Sequence, residues 1–318
     1  MSNIRTVLKD IKPNTLGWCQ CHEHIFLEKG KSWEINPALC MDDYEKSLAE
    51  LKLYKKSGGV SLVDAQPVAC GRMAEYLGTA SEKSGVNIVA STGFHKLMFY
   101  ETDSIVFSYT EEQLARLFIE EIEQGMYSSA VSGFKKTGYR AGMIKIAVDT
   151  DGVYADATTQ KLFKAAATAA KETGRPLMCH MEKGADAMEV VAFFEKQAVS
   201  TERLILCHLD RTHYDFAYHR AVAETGAYLE YDTIHRLKYH DDETEAKLIM
   251  YMLEEGYDSQ LLVGLDTTNQ RLKSYGADMG LDFILNDFSK RLLRMGMKKE
   301  ILYKMIIDNP QCALSQKV

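Results

Sequence analysis

The run "LGWCQCHEH" (16–24) reads as a buried strand that ends on two histidines, His22 and His24, one residue apart. Successive side chains on a strand point to opposite faces, so His22 and His24 share a face while Glu23 turns the other way. Two imidazoles aimed into one cavity suit a metal ion, and a hydrogen-bonded structural pair is the alternative that this fragment leaves open. Further along, Lys145 stands inside "GMIKIAV" (142–148), His180 inside "PLMCHME" (176–182) and His208 inside "RLILCHLD" (203–210), and Asp266 ends "LLVGLD" (261–266). Singly, a strand histidine reads as a satisfied core residue and an aspartate as a loop cap. Lys145 resists such a reading, because lysines are almost never fully buried unless paired. Flanked by Ile144 and Ile146, it needs an anionic partner or a chemical modification.

The elements that would bring these residues together are short apolar, β-branched runs alternating with amphipathic helical stretches. Besides the five above, strands are expected at "VSLVDAQ" (60–66), "NIVASTG" (87–93) and "AYLEYDT" (227–233). Helices such as "DDYEKSLAELKLYKKSGG" and "TEEQLARLFIEEIEQG" lie between them, the first with Asp42 or Asp43 as N-cap and Gly58 as its stop. Alternation of this kind makes parallel βαβ units. Eight such units close most simply into an α/β fold of the (β/α)8 TIM-barrel type, one domain spanning 1–318, with its active site at the C-terminal ends of the strands. A doubly wound open sheet is the other solution, but no Gly-rich fingerprint follows the first strand. In the barrel, His22, His24, Lys145, His180, His208 and Asp266 converge on one mouth, which packing alone explains poorly and metal binding explains well.

Composition narrows the partners. The 318 residues carry 38 Lys+Arg against 45 Asp+Glu, a net charge of −7, which argues against a general nucleic-acid surface. No apolar run is long enough for a membrane span and the N-terminal "MSNIRTVLKDIKPN" is too charged for a signal peptide, so a cytoplasmic protein is expected. The 7 cysteines, an odd number without a CxxC pair, fit reduced thiols better than a disulfide framework. Cys21, Cys179 and Cys207, each beside one of the histidines, read as small core fillers.

In order, "HEH", "TGYRAGMIK" (137–145), "MCHME", "CHLDR" and "GLD" resemble the phosphotriesterase-like branch of the amidohydrolase superfamily, over nearly the whole chain. The resemblance implies two divalent metal ions, usually zinc, bridged by a lysine that CO2 has carbamylated. Carried over, His22, His24 and Asp266 would hold the more buried ion, His180 and His208 the more exposed one, and Lys145 would bridge both. Carbamylation turns the amine into a carboxylate-like oxygen donor. Two adjacent Lewis acids lower the pKa of a shared water, which would attack a carbonyl or phosphoryl centre while Asp266 takes its proton. Asp210 and Arg211, just beyond His208, would orient ligands or substrate, or form a surface salt bridge.

The family's substrates include phosphotriesters, lactones and other esters, so departures from its pattern matter. The Phe-Thr-Leu often found before the HxH is Trp18-Cys19-Gln20, and "TTNQRLKSYG" (267–276) replaces the aromatic residue that often follows the last aspartate. An apolar organophosphate pocket is therefore not expected. Basic and phenolic residues after the last two strands, Lys238, Arg271 and Tyr275 above all, point instead to an anion site holding a phosphate, though loop charges usually only solvate. The expectation is a lactonase opening a phosphorylated sugar lactone, with possible homo-oligomers. A hydrolase of neutral lactones or phosphotriesters and a non-catalytic metal- or phosphosugar-binding barrel are the alternatives.

Overall fold

The computed structural model describes residues 2–129, 133–212 and 214–317. A small antiparallel hairpin, β1 (Ile4–Arg5) and β2 (Asp10–Ile11), precedes the main sheet. Eight strands follow: β3 (Cys19–Glu23), β4 (Ser61–Asp64), β5 (Asn87–Gly93), β6 (Met143–Val148), β7 (Leu177–Met181), β8 (Leu204–Cys207), β9 (Tyr228–Tyr231) and β10 (Leu261–Val263). Each lies inside a window expected from the sequence. They pair in parallel in chain order, from β3 at one end of the sheet to β10 at the other. The ends meet, because the Asp266 and Leu265 amides donate to the His22 carbonyl at 2.9 and 3.3 Å. This is a (β/α)8 barrel, and the meeting of its edges rules out the open doubly wound sheet.

The strand pleat sorts side chains into two layers. Cys19, Cys21, Val63, Val89, Met143, Met178, Ile205, Cys207 and Leu262 fill the barrel interior, and Ile4, Leu16 and Leu314 pack on the same cluster. Alternate residues, among them Leu62, Ile88, Ile144, Ile146, Cys179 and Leu206, pack outward against the helices. The three cysteines are buried and free as expected, but Cys21 and Cys207 face inward and Cys179 outward. Lys145 follows the inward register of Met143, so its isoleucine neighbours turn away from it into the helix layer.

Local signals set the helices. Asp43 caps Tyr44–Lys56 by accepting from the Lys46 amide, and Gly58 follows at φ +105°. Thr110 and Gln113 make a reciprocal capping box on Glu111–Glu123.

The closing seam has no room for a side chain at Gly264, where a Cβ would sit 2.9 Å from the backbone N, O and Cβ of His22. Gly264→Ala should therefore cost about 1–3 kcal/mol of stability, the scale of overpacking, and displace His22. A urea midpoint and a metal content both equal to wild type would show that the seam yields freely.

Candidate metal centre

Regular alternation sends Lys145, His180 and Asp266 inward with Met143, Met178 and Leu262, and the alternation breaks at His22 and His208 to bring them to the same place. In β3 the register shifts between Gln20 and Glu23, so His22 turns inward directly after inward-facing Cys21. His208 follows inward Cys207 with φ +61°, and Asp266 follows β10 with φ +47°, left-handed conformations that non-glycine residues adopt only when the surroundings enforce them. His22, His24, His180, His208 and Asp266 line one cavity at the C-terminal mouth. Lys145 lies beneath it, 0% exposed, with Nζ 3.3 Å from His22 Nε2.

Carboxylates orient the rings. His22 Nδ1 lies 2.9 Å from Glu230 Oε2 and 3.0 Å from Asp232 Oδ2, and His208 Nδ1 lies 2.5 Å from Asp232 Oδ1. Ionised carboxylates only accept, so each Nδ1 carries its proton and each Nε2 turns to the cavity as a donor atom. His208 Nε2 faces His180 Nδ1 at 2.8 Å. Burial holds His208 well below the ordinary imidazole range and His180 at about 4, so both are neutral, as ligands must be. At His22, burial and the Lys145 charge push the pKa down, but Asp232 and Glu230 prevail and raise it to about 9. A second proton on His22 would sit on Nε2, which faces the Lys145 side-chain nitrogen at 3.3 Å.

Asp266 joins the two halves of the site. Oδ1 is 3.4 Å from His24 Nε2 and 3.8 Å from His22 Nε2. Oδ2 is 3.0 Å from an Arg236 amine and 3.5 Å from one of Arg211. Burial alone would raise the Asp266 pKa, but Arg236 and the histidines hold it well below the usual range.

This donor set fits divalent cations. Ligand atoms of His22, His24 and Asp266 lie within 4.8 Å of one another. His24 Nδ1 and His180 Nε2 are buried without a hydrogen-bond partner among the described residues, although His180 Nε2 is 3.6 Å from Glu182 Oε2. Residues 2–314 match the phosphotriesterase family. The chain belongs to that family, one of binuclear metal-dependent hydrolases. It is 28% identical to a phospho-furanose lactonase of Mycoplasmopsis synoviae, over 98% of this chain and 91% of the relative. An N-acetyltaurine hydrolase of Xenopus tropicalis is 26% identical, over 99% and 98%. The crystal structure of a lactonase from Listeria monocytogenes superposes with a TM-score of 0.90 at 28% identity, covering 100% of both chains.

Outside this cluster the expected site residues of this phosphotriesterase-family chain part company. Arg211 reaches Asp266, whereas Asp210 is buried and accepts from the Thr233 amide at 2.6 Å. The proposed phosphate trio is not one group. Arg271 gives its terminal amines to the carbonyls of His235, Ile234 and Leu265 at 2.9, 2.7 and 3.1 Å, and is a loop clamp. The Tyr275 hydroxyl donates to Asp43 O at 3.2 Å and lies 2.9 Å from Ser47 Oγ, so it binds its loop to the helix Tyr44–Lys56. Lys238 alone is exposed, its ammonium 4.6 Å over the Tyr239 ring.

The sequence reading missed Glu230 and Asp232, although "LEYD" shows two acids at strand spacing inside an apolar run, the same signal as the HxH. Lys96, in the run "FHKLMFY" (94–100) whose charge the sequence offers to an anion site, lines the cavity and is committed to Glu182 at 2.7 Å.

Asp232 holds one histidine from each expected ion. Asp232→Asn should weaken the binding of both ions by about 10–100-fold, read by chelator competition. Unchanged affinity for either ion would separate Asp232 from that histidine's orientation.

Proposed function

We propose that this family member is a lactonase that opens a phosphorylated sugar lactone, using two divalent ions, most simply zinc, and a carbamate on Lys145. The observation that carries the metal part is Lys145. It is a fully buried amine whose hydrogen-bond partner among the described residues is His22 Nε2, with no carboxylate in contact. Carbamylation would replace a cation that this site cannot satisfy with an anionic oxygen donor facing His22. His22, His24 and Asp266 would hold one ion, His180 and His208 the other, and the carbamate would join them.

When bound, the ions supply hydroxide near neutral pH and polarise the lactone carbonyl. The chain's residues do the rest. Asp232 and Glu230 keep the histidines in the tautomer that presents Nε2. Asp266 takes the proton of the attacking water at Oδ2 and hands it to the leaving ring oxygen. Arg236 and Arg211 favour the ionised carboxylate, so the proton does not stay.

The phosphate reading has its own support. Lys238, Arg236 and Arg271 line a depression that shares Asn36, Arg236 and Thr268 with the metal cavity. A phosphate on Lys238 would leave the ester end over the cavity, and relatives that act on phosphorylated furanose lactones agree with this substrate class. Arg271 would act by holding the loop, and Tyr275 by anchoring it.

Paired aldonolactones with and without the phosphate test the reading, and equal turnover of both would favour a neutral-lactone hydrolase. Lys238→Ala should lower kcat/KM about tenfold on the phosphorylated member only, from about 1.5 kcal/mol for a charged hydrogen bond. Arg271→Ala, which frees three carbonyls, should depress both substrates and lower Tm. Lys145→Ala should lose both ions, with a short carboxylic acid in the buffer partly restoring them. A Lys145→Ala protein with its full metal content would end the carbamate reading.

A further inference from the structure

Between the ends of β8 and β9 and the helix Asp242–Glu254 lies a second buried group, two carboxylates and an imidazole: Asp210, Glu245 and His240. Asp210 and Glu245 are 0% exposed and His240 is nearly so. One ligand atom from each lies within 4.8 Å of the others. Asp210 Oδ2 is bound by the Thr233 amide, but Asp210 Oδ1 and Glu245 Oε1 have no hydrogen-bond partner among the described residues. Two buried carboxylate oxygens left in this way are costly unless a cation, or a proton shared by the two acids, lies between them.

The His240 ring shows what that group must satisfy. Nδ1 is 3.2 Å from the Asp241 carbonyl, which can only accept, so Nδ1 carries a proton. In the neutral ring Nε2 is then a lone pair. It lies 3.0 Å from the Thr233 hydroxyl, which can donate to it, and 3.0 Å from Glu245 Oε2, which cannot. A second proton on His240 would answer Oε2 alone. It would leave a net negative charge and both orphaned oxygens in place.

We propose that Asp210, His240 and Glu245 form a third cation site, for a divalent transition metal. One imidazole nitrogen and two carboxylates suit zinc or manganese, whereas calcium prefers six to eight oxygens. The site shares no ligand with the cavity. Asp210 follows His208, Thr233 follows Asp232, and His240 and Glu245 stand at the far end of loop 232–241. A cation here ties both ends of the loop that carries Arg236 and Lys238, and so fixes the loop against the cavity.

The test uses the whole wild-type chain, crystallised in excess zinc, with anomalous difference maps at the zinc edge. A peak between Asp210, His240 and Glu245 is expected, and no peak there overturns the proposal. A peak there with none in the cavity would uphold the third site while removing the two-ion reading of the cavity. In solution, Glu245→Gln should bind one equivalent of zinc less than wild type under the same reconstitution. Equal metal content in the two proteins would also overturn the proposal.

Discussion

The seam between β10 and β3 is the contact on which the rest of the site depends. His22 and Asp266, at opposite ends of the chain, become neighbours because the Asp266 amide donates to the His22 carbonyl at 2.9 Å. The same seam seats the Leu265 amide on Glu23 Oε1 and locks the Thr267 hydroxyl between the His24 amide and carbonyl. Glycine at 264 lets the backbones approach this closely. A barrel joined elsewhere, or left open, would keep every candidate ligand and assemble no site.

Around that seam the chain departs from regular strand geometry. The register shift in β3 and the left-handed residue His208 each turn a polar side chain inward where strict alternation would send it out, and Asp266, on the inward register of Leu262, is also held left-handed. Such conformations cost energy locally and persist where surrounding contacts enforce them. The contacts here are the carboxylates beneath: Asp232 accepts from the His208 ring at Oδ1, and its Oδ2 takes the His208 backbone amide and the His22 ring. The strain and the acids that hold it form one arrangement, and its product is imidazole nitrogens facing a single cavity.

Charge balance explains the loops. Asp266 is flanked by Arg236 and Arg211, Lys96 by Glu182 and Asp149, and Arg271 is surrounded by carbonyls. Most basic side chains near the mouth are thus committed to shaping it, and Lys238 stands outside these pairings. This division separates residues that build the cavity from those left to meet a substrate.

The sequence by itself determined the barrel and the ligand candidates. Periodicity of two in apolar runs and capping residues between them are local, and they located the eight barrel strands and the helices Tyr44–Lys56 and Glu111–Glu123. His22, His24, Lys145, His180, His208 and Asp266 were legible because polar residues in buried strands demand a reason. Glu230 and Asp232 carried the same signal. The roles of Arg271 and Tyr275 were not legible, because a hydrogen bond from a loop to carbonyls or to a distant helix leaves no periodic mark. Only the tertiary structure decided which oxygen each donor meets. The convergence of Asp210, His240 and Glu245 was equally hidden, since it depends on how a helix packs against two strand ends, a distance that no spacing in the chain encodes.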